Sequence, residues 1–420
     1  MRPQVQSTVE AVWRMESAKI IAKLARMLHD VGLAEELAQD LLVTALEQWP
    51  VSGIPDNPGA WLMTTAKNRA LDQLRRFKLL QRKHETIANE AELFEPVSTP
   101  PDQDSNEVGD DLLRLIFIAC HPVLSTEARV ALTLRLLGGL NTAEIARAFL
   151  TPEPTIGQRI VRAKRALAEA KVPFEIPRVD ELAHRLASVL EVIYLIFNEG
   201  YAATAGDEWM RPTLCEEALR LGRILAELAP AEPEAHGLIA LMEIQASRVA
   251  ARVGPSGQPI LLLDQDRGRW DQLLIGRGLK ALERAEALGL TLGPYGLQAA
   301  IAACHVRARI AAETDWVRIV ALYDALAQLA SSPVVDLNRA VAVAMAFGPG
   351  AGLELVDELA ADTRLRGYHL LPSVRGDLLE KLGRFDEART EFTRAAGLAQ
   401  NAREQTLLLG RAAACGAAAH

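Results

Sequence analysis

Cysteine, aromatic residues and long apolar runs are all scarce in this 420-residue chain, and each shortage closes off a class of protein. The four cysteines, Cys120, Cys215, Cys304 and Cys415, lie far apart with no CxxC pair. Neither a zinc knuckle nor a disulfide framework is indicated, and a reduced cytoplasm is the expected compartment. No apolar stretch approaches the ~18 residues needed to span a membrane. The opening residues, MRPQVQSTVEAVWRMES, lack the apolar core of a secretory leader. No HExxH, GxSxG or P-loop pattern occurs, so neither a metal nor another cofactor is expected.

What remains is half hydrophobic but only 5% aromatic, with leucine and alanine recurring throughout. That composition suits an all-α protein packed through many small interfaces, and the length suits about two to four domains.

The most informative stretch is Leu124 to Leu167, LSTEARVALTLRLLGGLNTAEIARAFLTPEPTIGQRIVRAKRAL. An apolar helix carrying Val130, Leu132, Leu134 and Leu136 ends at Gly138-Gly139. Asn141 then starts a short helix, with Glu144 at the spacing of a reciprocal capping box; Ile145, Ala146 and Phe149 form its buried stripe. A third helix begins after Thr151, with Pro152 at its first position and Pro154 still in the first turn, where proline costs no intrahelical bond. Its polar face carries Thr155, Gln158, Arg159, Arg162, Lys164 and Arg165. A short helix, a tight turn and a basic second helix are the grammar of a helix-turn-helix that enters the DNA major groove.

Charge is segregated along the chain. The net value is −8, unusual for a stand-alone DNA binder. Yet between Lys67 and Lys83 the basic residues Lys67, Arg69, Arg75, Arg76, Lys78, Arg82 and Lys83 face Asp72 alone. Between this basic patch and the helix-turn-helix, Glu90 to Asp111 is acidic and proline-bearing (Glu90, Glu92, Glu95, Asp102, Asp104, Glu107, Asp110, Asp111), which reads as a flexible linker. Two basic modules on an acidic tether suit contact with DNA at two places while a larger partner supplies most of the affinity.

The N-terminal module, residues 7–86, shows helical spacing of Val9, Val12, Trp13, Ile20, Ile21, Leu24 and Leu28. A second helix, Leu33 to Trp49, is expected to bury Leu37, Leu41, Leu42, Ala45 and Leu46, leaving Glu35, Glu36 and Asp40 on or near its wet face. A turn-rich loop, Pro50 to Pro58, leads to a long helix starting near Gly59-Ala60-Trp61. Periodicity alone also fits a plain helical bundle with a solvated basic end.

Two segments of this module, Ala34-Glu35-Glu36-Leu37-Ala38-Gln39-Asp40 and Trp61 to Arg76 (WLMTTAKNRALDQLRR), resemble the second region of extracytoplasmic-function sigma factors. The run Thr155-Ile156…Arg159…Arg162-Ala163-Lys164-Arg165-Ala166-Leu167 resembles their fourth region. Order and spacing match too, over about Ser7 to Lys171, and the paired match is far more specific than either half.

The resemblance implies roles position by position. Glu35, Glu36 and Asp40 would dock on the β′ clamp helices of core RNA polymerase, acids meeting bases; the bland alternative is a solvated helix face. The β flap is the other implied polymerase contact. The loop Val51 to Gly59 corresponds to the part that captures a flipped base of the −10 element. Asn68 aligns with a base-reading position there, its amide offering donor and acceptor. Lys67, Arg69, Arg75 and Arg76 would steady phosphates of the promoter DNA, while Trp61 reads as core rather than as a stacking wedge. At −35 the readers would be Thr155, Gln158, Arg159 and Arg162, glutamine suiting adenine and arginine guanine, beside Lys164 and Arg165. Pro154 and Gly157 depart from the family's usual residues here. The linker, residues 87–109, resembles the sigma segment that threads the polymerase channel for nascent RNA, and the helix-turn-helix module spans 110–172.

Residues 178–415 exceed what a minimal sigma factor needs. Gly376-Asp-Leu-Leu379, Gly383-Arg-Phe385-Asp-Glu-Ala388, Phe392 and Ala395 fit the tetratricopeptide repeat pattern, in which small residues let paired helices approach. Weaker copies occur at Ala218–Pro230 with Glu232–Met242, and at Trp316–Leu329 with Asp336–Met345. Arg252 to Trp270 is a Gly/Pro-bearing insertion. An α-solenoid is expected, with an irregular helical domain as the alternative. The resemblance implies that such an extension regulates the sigma factor in place of a separate anti-sigma factor; in this chain the solenoid is expected to pack on the sigma modules or to clamp polymerase.

The tail also holds carboxylates near aromatics: Asn198-Glu199-Gly200-Tyr201, Asp207-Glu208-Trp209, Glu216-Glu217 and Leu263 to Arg267. A hydrolase or metal site could use them, but carboxylates on helical repeats commonly cap helices or bridge repeats, and Cys120-His121 reads as structural. The expected function is therefore promoter recognition as a non-enzymatic sigma factor. A stand-alone helix-turn-helix regulator with a helical-repeat effector domain is the alternative, and an enzyme with an attached DNA-binding module a third.

Overall fold

The computed structural model describes residues 2–85, 105–149, 151–255, 257–289 and 291–418, and the chain divides into two compact units, Met1–Val192 and Ile193–His420. The described residues are α-helical, short 3-10 turns and two isolated β-bridges apart, as an all-α chain requires.

The first unit opens with three helices, α1 (Arg2–Leu28), α2 (Val31–Ser52) and α3 (Pro58–Glu85). Val9, Val12, Trp13, Ile20, Ile21 and Leu24 bury one face of α1. The turn into α2 is tight: His29 takes the left-handed conformation (φ 53°) and the Asp30 carboxylate accepts the Leu33 N–H at 3.0 Å. The buried stripe of α2 is Ala34, Glu35, Ala38, Leu41, Ala45 and Trp49. Leu37 and Leu42 are only half-buried and Leu46 is exposed, so the expected core face is rotated toward the small residues. Alanines win that position because α1 and α3 both pack close on α2. Pro50 sits in the last turn of α2 without stopping it, and the loop shortens to residues 53–57.

Helices α4 (Ser105–Ala119), α5 (Thr126–Leu136), α6 (Thr142–Ala148) and α7 (Glu153–Glu169) follow; α5, α6 and α7 pack on one another as a second bundle, and α4 joins it to α1. Most of the expected linker, residues 86–104, lies outside the described residues. Its final acids are not linker. Asp110 and Asp111 belong to α4, and Asp111 is buried against Arg26 (3.3 Å) and Arg114 (2.8 Å). Burial outweighs these cations and Lys23, and holds the Asp111 carboxyl above its ordinary value. Helix α8 (Val179–Tyr201) follows, and the unit boundary falls within it rather than at Arg178. The first half of α8 braces the bundle: Arg185 donates to Phe117 O (2.7 Å), Ser188 to Cys120 O (2.7 Å), and Arg129 binds Glu191 (3.1 Å).

The second unit continues with α9 (Pro212–Leu228), α10 (Pro233–Ala246), α11 (Gln272–Leu288), α12 (Pro294–Arg307), α13 (Trp316–Leu329), α14 (Pro333–Phe347), α15 (Pro349–Leu359), α16 (Leu370–Lys381), α17 (Phe385–Leu398) and α18 (Ala402–Ala418). Proline at the first position fixes where α9, α10, α12, α14 and α15 start. Each helix packs on its chain neighbours, and α10 also on α12, the layout of stacked helical pairs. Small residues set the closest approaches. A Cβ at Gly237 of α10 would lie 2.7 Å from Gly296 N of α12. Glu234 secures the same crossing by accepting the Tyr295 and Gly296 N–H groups (2.9 and 3.1 Å) at the start of α12.

The clearest repeat behaves as its sequence implies: Ala388, Phe392 and Ala395 are fully buried, and the Phe392 ring lies against Gly376. The ends of the unit are fastened by buried Asn401, which donates to Ala203 O (3.2 Å) and Glu208 O (2.8 Å) and accepts the Arg403 N–H (3.0 Å).

Two outcomes follow for this unit. A Cβ at Gly376 would come within 2.9 Å of the Phe392 ring, so Gly376→Val should lower its unfolding free energy by about 1–3 kcal/mol in urea titration. Burial, then Arg248 and Arg267, push the buried His305 imidazole down from 6.5 to about 4. Between these values the unfolded chain holds a proton that the folded unit refuses. Stability is therefore intact above the unfolded value and falls as pH drops toward the folded one, by about 2–3 kcal/mol. His305→Gln should flatten that loss in unfolding measured from pH 7 to 4.5.

Candidate nucleic-acid interface

The helix-turn-helix is built as its residues dictate. Asn141 and Glu144 bond each other's backbone N–H groups reciprocally, both at 2.8 Å. Gly139 turns at φ 66° after α5, Ile145 and Ala146 are buried, and Phe149 is half-buried. Pro152 is the N-cap of α7 and Pro154 its second residue, one place earlier in the helix than expected.

In α7 the core side is Ile156, Ile160, Ala163 and Leu167. At about 100° per residue, the opposite side carries Thr155, Gln158, Arg162 and Arg165, all exposed. Arg159 is half-buried on one flank, and Arg165 pairs with Glu169 at 2.6 Å. Val161, 64% exposed, shares the outer stripe; an apolar side chain among polar neighbours gave no signal in sequence, although its period places it there. Gly157 is not forced by space, since a Cβ would meet only the Thr142 methyl at 3.8 Å.

Lys164 is on the other flank and does not face outward with that stripe. Its ammonium bonds the Glu35 carboxylate of α2, and Arg135 of α5 grips the same carboxylate (Nε 2.8 Å, Nη2 2.7 Å). Glu35 is only 4% exposed, so the expectation of a wet-face residue is corrected. It lies on the inner stripe of α2 because Arg135 and Lys164 supply the charge that makes its burial tolerable. Glu36 and Asp40 are exposed as expected.

On α3 the exposed line is Asn68, Asp72, Arg75 and Arg76, with Arg75 bound to Asp72 at 3.1 Å. Lys67 and Arg69 are half-buried on opposite flanks, and Arg69 donates to Thr44 Oγ1 at 2.6 Å. The five residues therefore do not share one face. Asp40, Arg69, Asp72 and Arg76 line an open groove of about 390 Å³ between α2 and α3. Trp61 is half-buried, edge-on to the buried Trp49 ring at 5.6 Å, and Asn57 caps α3 through the Ala60 N–H at 3.0 Å.

Three of the candidate carboxylates of the second unit are engaged. Glu199 binds Arg211 and Thr204, Glu217 pairs with Arg220, and Asp266 accepts the Gly268 N–H at 2.9 Å. Burial raises the Cys120 thiol to about 11 and lowers the His121 imidazole to about 4.

Comparison with known proteins agrees with this layout. Residues 13–78 match sigma-70 region 2, residues 114–167 match sigma-70 region 4, and residues 185–286 match a family of unknown function, DUF6596. Two promoter-type modules on one chain, in this order, define an RNA polymerase sigma factor. The chain belongs to the extracytoplasmic-function group of the sigma-70 family and carries a helical-repeat C-terminal extension.

Over nearly its whole length it is similar to an uncharacterized protein of Rhizobium meliloti, 44% identical across 91% of this chain and 89% of that one. The probable sigma factor SigI of Mycobacterium tuberculosis is 27% identical over 43% of this chain and 60% of its own length. SigK of Mycobacterium ulcerans is 31% identical over 36% and 78%. Yeast Tom70 is similar at a TM-score of 0.32 and 13% identity, covering 99% of this chain and 86% of that one. No helix among the described residues is long and apolar enough to cross a membrane.

The Glu35 cluster makes a direct forecast. Glu35→Gln leaves Arg135 and Lys164 facing a neutral amide, and should lower the stability of the first unit by about 2 kcal/mol in denaturant titration. Lys164→Met in the same background should recover part of that loss, a coupling that a double-mutant cycle reads.

Proposed function

We propose that the chain directs core RNA polymerase to specific promoters in the cytoplasm and is regulated by its C-terminal solenoid. The outward stripe of α7 carries the reading at −35: Thr155, Gln158 and Arg162 present amide, hydroxyl and guanidinium groups suited to base edges. Arg159 and Arg165 flank them, and Val161 adds an apolar surface fitted to a thymine methyl. At −10 the exposed Asn68 amide reads an unstacked base, with Arg75 and Arg76 on phosphates and Lys67 and Arg69 at the edges. Glu36 and Asp40 offer the exposed acids for the β′ clamp helices.

Glu35 and Lys164 cannot serve polymerase and DNA while they bind each other. Binding to polymerase therefore separates α2 from α7, freeing an acid for the clamp and a cation for the −35 phosphates in one event. The observation that carries this reading is the basic, solvent-facing stripe of α7 on a capped helix-turn-helix, in a chain that also bears the second-region module.

Run-off transcription with core polymerase tests it. Arg162→Ala should weaken −35 recognition by about 1–3 kcal/mol, and Asn68→Ala should impair promoter opening more than promoter binding. The shortened chain for testing the tail should end after Val192 rather than near Val172, since α8 up to that residue braces the first unit. Equal output from full-length and shortened chains would reject a regulatory tail. Tight operator binding without polymerase would favour a stand-alone regulator instead.

A further inference from the structure

Around the insertion between α10 and α11, Arg248 and Arg267 pair with no carboxylate among the described residues, although Asp264 and Asp266 belong to the same segment. Arg248, just past the last turn of α10, is 9% exposed. Among the described residues its side chain makes no hydrogen bond or ion pair, and its Nε–H is buried and unbonded. Arg267 arrives from the 3-10 turn Arg267–Arg269. Its Nη1 donates to His305 O and to Ala308 O (3.0 Å), its guanidinium stacks on Trp270 at 4.5 Å, and its Nη2 is buried and unbonded. The main chain fixes the two arms, Asp271 N–H donating to Ser247 O at 2.9 Å. Beside them, Trp270 (4% exposed) keeps its indole N–H unbonded. So does His305 (8% exposed) at Nδ1, its ring edge-on to Trp316 at 5.2 Å.

The unbonded groups share a character. Arg248 Nε, Arg267 Nη2 and Trp270 Nε1 are obligate donors, and neutral His305 or the unbonded Thr314 hydroxyl adds another. Among the described residues the one orphan acceptor of the insertion is Gln265 Oε1, on a side chain whose nitrogen already bonds Ile260 O at 3.1 Å. The C-terminal carbonyls of α12 account for Arg267. They do not account for Arg248, which bonds no carbonyl of α10. A buried cation with a neighbouring cation and no counter-charge is costly unless something neutralises it, and the side-on Nε/Nη edge of arginine is shaped for two oxygens.

We propose that Arg248, Arg267, Trp270 and His305 form a binding site for a compact phosphoryl oxyanion, either free phosphate or a small phosphomonoester. Such a ligand accepts from several donors at once and balances both guanidinium groups. The site gives the regulatory reading of the second unit a small-molecule input, but it stands without that reading, because its test is binding and not transcription.

The experiment is thermal unfolding of the full chain in inorganic phosphate, in glycerol 3-phosphate, and in sodium chloride of equal ionic strength. Phosphate at ~100 times its Kd should raise the second unit's midpoint by roughly 5–10 °C over chloride, and the shift should saturate. A tighter response to glycerol 3-phosphate assigns the site to phosphomonoesters, and an equal one to free phosphate. Arg248→Met should abolish the shift and, in chloride alone, unfold no earlier than the natural chain, because an unpaired buried charge has been removed. No oxyanion-specific shift in the natural chain overturns the proposal. So does an Arg248→Met chain that unfolds early in chloride yet keeps the phosphate response.

Discussion

One carboxylate constrains the first unit more than any other group. Glu35 sits at 4% exposure between two cations from the helix-turn-helix bundle, Arg135 on α5 and Lys164 on α7. Removing any of the three leaves the others paying desolvation without return, so the cluster fixes where α2 meets α7. Helix α2 is also where the exposed acids Glu36 and Asp40 lie, and α7 is where the outward polar and basic stripe lies. The contact thus ties the acid-bearing helix of one module to the helix of the other that carries the outward basic stripe. Two charges per bond make that tie strong in the free chain. In the proposed function the same charges find alternatives in a basic clamp and a phosphate backbone, which makes the tie exchangeable.

Much of this was legible from residue order. The reciprocal Asn141–Glu144 box, the Gly139 turn and the proline-tolerant start of α7 are local rules, and local rules survive folding. The Gly376, Ala388 and Phe392 repeat was legible for the same reason: small residues opposite large ones leave a periodic trace. The rotation of the α2 core and the burial of Glu35 were not. Both depend on what α2 packs against, and a glutamate on a helix carries no mark of a partner 100 or 129 residues away. Asp111 escaped for a similar reason: an acid at the end of an acidic run reads as linker until Arg26 and Arg114 are seen around it.

The division of the chain was legible in outline only. Two prolines, Pro173 and Pro177, lie between Val172 and Arg178, and the backbone does break there between α7 and α8. The packing boundary instead falls inside α8, at Val192, because Arg185 and Ser188 satisfy main-chain carbonyls of α4 and the turn after it. Carbonyls at a helix end need donors, and here the donors come from the next helix along. A chain break and a packing break are different things, and α8 keeps them apart.

The two arginine environments of the molecule make the same physical point from opposite sides. Arg135 is partly buried and has a carboxylate, and nothing about it demands a further partner. Arg248 is more deeply buried and has none. Proteins rarely keep an uncompensated cation in a packed interior for stability alone, since an apolar residue of similar shape would serve better. Unpaired buried charge is therefore better evidence of a ligand than paired buried charge is of stability. By that criterion the proposed oxyanion site belongs with the orphan donors beside the insertion rather than with carboxylates that already hold cations.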